Sequence, residues 1–168
     1  MIPYGRHSIS EDDIAAVAKV LRSDWLTQGE KVGQFEKELA EYCGAKYAVA
    51  VANGTAALHA AFFAAGLDNG AEFITSSMTF VATSNVGLWQ GAKPVFVGID
   101  ENTGNIDVNK IEEKITKNTK AIVPIDYTGR PAELAKIKDI ARKHNLIVIE
   151  DACQALGARY ADKKIGSI

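Results

Sequence analysis

The spacing of apolar residues changes period near residue 46. Before that point they recur at helical intervals: Ile14, Val17, Ala18 and Leu21 follow a capping Ser10, and Val32, Phe35, Leu39 and Tyr42 lead to Gly44. Glu11, Asp12 and Asp13 suit the positive end of the first helix dipole. Residues 23–29 break the period and predict a loop, whose Trp25 and Leu26 are expected to pack. From residue 47 the chain alternates. Short β-branched or aromatic runs predict strands over 47–51, 73–75, 94–99, 120–125 and 147–150. Helical spacing predicts helices over 55–65, 80–90, 108–115 and 132–144, with Gly66, Gly91 and Asn145 just past three of their ends. Strands separated by helices through short connections imply right-handed βαβ units, hence an α/β fold with a mostly parallel sheet flanked by helices. Residues 157–168 are largely polar, with Tyr160 the only bulky anchor before Ile165, and predict no closing helix or strand.

Composition narrows the classes. A chain of 168 residues that is 47% hydrophobic buries a core of about one domain. A net charge of −2 gives no reason to expect a nucleic acid or an anionic membrane as partner. No apolar run reaches the length of a membrane span, and the first residues lack the core of a signal peptide. Cys43 and Cys153 have no metal or redox spacing, which fits a reducing cytoplasm, and His7, His59 and His144 share no ligand spacing, so no zinc site is expected.

Candidate chemistry lies where strands stop. In open α/β sheets, ligands bind outside the carboxyl ends of the strands. Asp151 ends the run Ile147-Val148-Ile149-Glu150, at that edge, although Asp also caps turns after strands. Asn53-Gly54-Thr55 follows the first predicted strand and opens a helix. Gly54 lets a ligand approach the backbone, and free N–H groups with the Thr55 hydroxyl can hold a phosphate. Taken alone the pair reads as an ordinary helix cap; it is not a P-loop. Phe80 follows the next strand, and Asp100 and Asp126 follow later ones. Two chemistries compete. Asp100, Asp126 and Asp151 could hold magnesium for phosphoryl transfer, as in a receiver-like domain. Alternatively, pyridoxal 5′-phosphate would seat its phosphate on Gly54 and Thr55, stack its ring on Phe80 and pair its protonated pyridine nitrogen with Asp151.

Several segments then fall into a familiar order: Trp25-Leu26-Thr27-Gln28-Gly29, Asn53-Gly54-Thr55-Ala56-Ala57-Leu58, Thr79-Phe80-Val81-Ala82-Thr83, Gly91-Ala92-Lys93-Pro94-Val95-Phe96-Val97 and Ile149-Glu150-Asp151-Ala152-Cys153-Gln154. On these the chain resembles the N-terminal part of the DegT/StrS family of sugar aminotransferases. The resemblance implies an incomplete large domain of an aspartate-aminotransferase-like (fold-type I) architecture and pyridoxal phosphate as cofactor. It implies that Gly54 and Thr55 bind the phosphate, Phe80 stacks on the ring, Asp151 pairs with the pyridinium, and Gln154 lies near the phenolic oxygen. Tyr4, Asp24, Trp25, Leu26 and Thr27 match positions that approach the nucleotide-sugar. Pro3-Tyr4-Gly5, Leu26-Thr27-Gln28-Gly29 and Asp126-Tyr127-Thr128-Gly129 most resemble the branch that works in pseudaminic acid biosynthesis. That branch implies amine transfer from glutamate to the 4-keto carbon of a UDP-linked 4-keto-6-deoxy sugar, by a homodimer whose two subunits share the site.

The same resemblance divides the chain into an N-terminal helical segment, 1–45, and a truncated cofactor-binding large domain, 46–168, without the small C-terminal domain. Leu156 departs from the His that many members carry. The family's Schiff-base lysine lies beyond Gly166-Ser167-Ile168, while Lys163 and Lys164 are expected in a polar turn, so the chain by itself is expected to be inactive. A non-catalytic, aminotransferase-like binding module remains the third reading.

Overall fold

Whether an apolar run becomes a strand depends on its finding a neighbour. In the computed structural model, which describes residues 6–168, four runs do: β1 (Glu72–Ser76), β2 (Lys93–Val97), β3 (Thr119–Val123) and β4 (Ile147–Val148). They form one parallel sheet in the order β2-β1-β3-β4. Helices α1 (Glu11–Leu21) and α2 (Glu30–Cys43) precede it, α3 (Gly54–Ala64), α4 (Ala82–Trp89) and α5 (Leu134–His144) flank it, and a short antiparallel pair, β5 (Arg159–Tyr160) and β6 (Lys163–Lys164), follows. No described helix is long and apolar enough to cross a membrane.

The two central strands are buried on both faces, as a parallel sheet covered by helices requires. On one face Phe73, Ala121 and Val123 pack with Leu58 and Phe62 of α3 and Val86 of α4. On the other, Ile74 and Ile122 pack with Leu134, Ile137 and Ala141 of α5, joined by Val108 and Ile111. Burying one such aromatic or branched aliphatic side chain contributes about 1.5–3 kcal/mol. Phe62 meets Phe73 edge to face, with centroids 4.9 Å apart. Helix α4 lies so close to β1 that a Cβ on Gly87 would stand 2.2 Å from Phe73 Cε1.

The N-terminal helices form as expected but bury no residue fully. Ser10 and Asp13 close a capping box on α1, and their hydrogen bonds hold the Asp13 carboxyl below its ordinary range. Gly44, at φ 76°, caps α2 in the left-handed conformation. Helix α2 meets the β5–β6 hairpin, where Lys164 Nζ sits 3.3 Å from the centre of the Tyr42 ring.

Five expectations are corrected. Residues 47–51 are not a strand: Tyr47 and Val49 are exposed, and no neighbouring strand among the described residues offers a ladder. Residues 108–115 form two 3-10 turns, Val108–Lys110 and Glu112–Lys114, because only Val108 and Ile111 need burial and three-residue spacing suits the tighter turn. The strand predicted over 147–150 keeps two residues and a single further bridge, Ile125 to Asp151, since Pro124 has no N–H for the ladder. Residues 157–168 do form a hairpin, through Ala161 and Asp162 at positive φ, a turn made without the usual Gly or Asn. Trp25 and Leu26 do not pack; both are more than 60% exposed.

Candidate active site

The chain leaves the sheet at the carboxyl ends of β1, β3 and β4, and the N-terminus of α3 arrives beside them. Between them is a cleft of about 380 Å³, lined by Asn53, Gly54, Thr55, Leu58, Thr79, Phe80, Ala82, Ile125, Asp126, Tyr127, Asp151, Cys153 and Gln154.

Asp151, like Asp126, is buried in its wall. The main chain fixes the residue between β3 and β4, with its N–H on Pro124 O at 2.9 Å and its carbonyl accepting from Asp126 N at 3.0 Å. Thr83, itself fully buried in α4, donates from Oγ1 to Asp151 Oδ2 at 2.9 Å, and Thr79 stands one turn earlier with its hydroxyl 2.8 Å from that of Thr83. Among the described residues Oδ1 accepts only a long bond from Cys153 N, 3.4 Å, so it keeps acceptor capacity for a further donor.

At the start of α3, Asn53 Oδ1 accepts from Ala56 N at 2.9 Å. The Gly54 and Thr55 N–H groups have no partner among the described residues and stand at the positive end of the helix dipole. A Cβ on Gly54 would approach Cys153 Sγ to 3.0 Å, so glycine keeps this wall of the cleft low. Burial and the nearby Asp151 carboxylate push the Cys153 thiol up to about 11. Phe80 stands at the lip, 73% exposed.

Gln154 is oriented by a loop from another strand end. Thr128, in the left-handed region at φ 55°, donates its N–H to Gln154 Oε1 at 2.8 Å. The next residue, Gly129 at φ 84°, would bring a Cβ within 2.9 Å of the Gln154 carbonyl oxygen, so glycine is required twice over. Two buried polar side chains hold this loop. Asn105 accepts from Tyr127 N at 2.9 Å and donates to the Arg130 and Pro131 carbonyls, and Asp126 Oδ1 accepts from Ala132 N at 2.9 Å.

The fold thus brings Gly54, Thr55, Phe80, Asp151 and Gln154 to one cleft. Asp24, Trp25, Leu26 and Thr27 are exposed and do not line it, and Tyr4 lies outside the described residues. The three acids of the magnesium alternative do not converge: Asp100 is occupied in its own turn, accepting from Asn102 N at 2.7 Å, and no metal-ligand cluster occurs among the described residues. Lys163 and Lys164 lie on the hairpin, not in the cleft. Sequence reasoning missed Thr83, Asn105, Tyr127 and Thr128 as parts of the site. Thr79 and Thr83 left a trace, being four residues apart just beyond a strand end, and Tyr127 and Thr128 stood in the motif Asp126-Tyr127-Thr128-Gly129 without a role; Asn105 left none.

Residues 7–168 match the DegT/DnrJ/EryC1/StrS aminotransferase family. The chain belongs to this family. It is 46% identical over 167 residues to the spore coat polysaccharide biosynthesis protein SpsC of Bacillus subtilis, covering 99% of this chain and 43% of SpsC. It superposes on Helicobacter pylori PseC, an aminotransferase involved in the biosynthesis of pseudaminic acid, with a TM-score of 0.92 and 38% identity, covering 98% of this chain and 44% of that one. It superposes on the PMP-form of the sugar aminotransferase Spr1654 from Streptococcus pneumoniae with a TM-score of 0.95 and 29% identity, covering 99% and 46%. The chain therefore spans less than half the length of these relatives. The DegT/StrS family and these neighbours are pyridoxal phosphate-dependent aminotransferases. The cleft fits that cofactor's chemistry: two unpaired N–H groups for a phosphate, an exposed aromatic face for a ring, and a carboxylate oxygen with spare acceptor capacity for a protonated nitrogen.

Proposed function

We propose that the protein carrying this chain transfers an amino group from glutamate to the 4-keto carbon of a UDP-linked 4-keto-6-deoxy sugar, using pyridoxal phosphate. The observation that carries the reading is the Thr83–Asp151 pair in the same cleft as the open helix start at Gly54 and Thr55. Similarity to PseC supports the choice of sugar.

When bound, the cofactor supplies an electron-accepting ring that relays the amine between donor and acceptor. The Gly54 and Thr55 N–H groups, with the Thr55 hydroxyl, anchor its phosphate. Asp151 accepts a hydrogen bond from the pyridine nitrogen and keeps a proton there, and Thr83 keeps the carboxylate aimed. Phe80 covers one ring face, and Gln154, held by Thr128 N, presents its amide near the phenolic oxygen. No lysine among the described residues lines the cleft, so residues 6–168 bind and orient but do not themselves carry the amine.

We further read residues 1–45 as a helical segment and 46–168 as part of the cofactor-binding domain. Asp24, Trp25, Leu26 and Thr27, with Tyr4, are assigned to the nucleotide-sugar site of a second copy in a homodimer. Their absence from the cleft lining and the exposure of Trp25, Leu26 and Phe35 support that assignment.

The test is an amine-transfer assay with glutamate and the UDP-4-keto sugar, set beside pyridoxamine 5′-phosphate binding to wild type and Asp151→Asn. Saturable binding weakened by Asp151→Asn, with sugar amination, is expected. Equal binding by both proteins would overturn the reading.

A further inference from the structure

Where β3 and β4 end, next to Asp151, two carboxyl groups interact, those of Asp126 and Glu150. Asp126, fully buried, follows β3, and Glu150 follows β4; the main chains are tied there by the Ile125–Asp151 bridge. Asp126 Oδ1 accepts from Ala132 N, but among the described residues Asp126 Oδ2 is buried with no partner, and so is Glu150 Oε1. A native fold rarely leaves two such oxygens orphaned, and two anionic carboxylates cannot share one buried site without a large desolvation and repulsion cost. One proton satisfies both atoms.

We propose that Asp126 and Glu150 form a proton-sharing pair, Glu150 Oε1–H donating to Asp126 Oδ2, and that this pair positions the Tyr127–Gly129 loop and, through Thr128, Gln154 at the cleft. The positioning role rests on the aminotransferase reading; the pair itself does not. The chain of contacts is short. Asp126 closes the loop on Ala132 N, the loop tip gives Thr128 N–H to Gln154, and Glu150 is the group that lets Asp126 stay buried.

The electrostatics agree with this assignment of the proton. Burial and then the Asp126 charge push Glu150 up to about 7, against the backbone N–H of Gly166 and the more distant Lys138, which favour its anion. Burial pushes Asp126 up as well, and the hydrogen bond from Glu150 opposes that rise, while Asp151 adds to it. From α5, Lys138 and Arg142 line the same groove as Glu150. The folded state thus keeps a proton that unfolded Glu gives up. The pair's stabilisation is complete below the ordinary glutamate range and is lost as pH rises toward 7.

The experiment compares wild type, Glu150→Gln and Asp126→Asn in the full protein from pH 5 to pH 8. Either amide replaces the shared proton with a fixed N–H donor. In cofactor-free protein, infrared spectra are expected to hold a protonated-carboxyl band that titrates away near pH 7 in wild type and is missing from both variants. The folding constant of wild type relative to Glu150→Gln should fall by up to about tenfold per pH unit between pH 5 and 7. Pyridoxamine 5′-phosphate affinity should weaken severalfold between pH 6 and 8 in wild type relative to Glu150→Gln. If Glu150→Gln fails to fold, Asp126→Asn provides the same comparisons. No carboxylic-acid band at pH 5–6, or a stability ratio flat with pH, would overturn the pair. Affinities that run parallel at every pH would overturn the positioning role. Failure of every protein to bind the cofactor would instead sink the aminotransferase reading and leave the infrared result standing.

Discussion

Thr83 Oγ1 and Asp151 Oδ2 are 2.9 Å apart, a buried contact between helix α4 and the end of β4 that joins residues 68 positions apart. It fixes the carboxylate of Asp151, which lines the cleft. Thr83→Val keeps the shape and removes the donor, leaving a buried oxygen unpaired. The expected cost is about 1–3 kcal/mol of stability, with weaker pyridoxamine 5′-phosphate binding. Thr83→Ser restores the hydroxyl and should recover most of both, read by thermal unfolding and a binding titration.

Asp151→Asn should fold and lose cofactor affinity by roughly 10- to 100-fold, the worth of one hydrogen bond to a charged group. Turnover should fall further, because an amide does not hold the pyridine nitrogen protonated. Full turnover by the Asn variant would contradict the role given to Asp151.

Cys153 is expected to be a poor nucleophile despite its exposure. With the thiol pushed from 9.0 to about 11, its thiolate fraction near neutral pH falls by about 100-fold. Iodoacetamide should label it correspondingly slowly. Asp151→Asn removes one cause of that shift and should accelerate labelling, as peptide mass spectrometry would report.

Gly54→Ala is expected to weaken phosphate anchoring, since its Cβ would press on Cys153 Sγ at 3.0 Å. Gly54→Ala combined with Cys153→Ala removes the obstructing atom and should restore binding. A double variant as weak as Gly54→Ala alone would place the effect elsewhere.

Gly87→Ala tests the α4–β1 contact. A methyl 2.2 Å from the Phe73 ring forces repacking at about 1–3 kcal/mol, visible as a lowered unfolding midpoint. Phe73→Leu in the same chain should relieve part of it.

Local chemistry made much of this protein legible in its sequence. Alternating apolar runs and helix caps announced a parallel α/β sheet, because the period of burial is written residue by residue. Ser10, Gly44 and Asn145 marked helix ends because capping needs only near neighbours. Phe80 and Asp151 could be picked out because ligands gather where parallel strands end, whereas Gly54 follows a predicted strand that does not form and stands out only as a glycine at a helix start. Pairing was decided elsewhere. Residues 47–51 carry a strand's composition yet have no neighbour among the described residues to complete a ladder, while 159–164 form a hairpin that their composition hid. The partners of the site residues were also beyond the sequence's reach. Thr83 reaches Asp151, Asn105 braces the Tyr127 loop, and Glu150 meets Asp126 only after the sheet has assembled. Hydrogen bonds between buried polar groups depend on distance in space, and a chain read in order contains no measure of that.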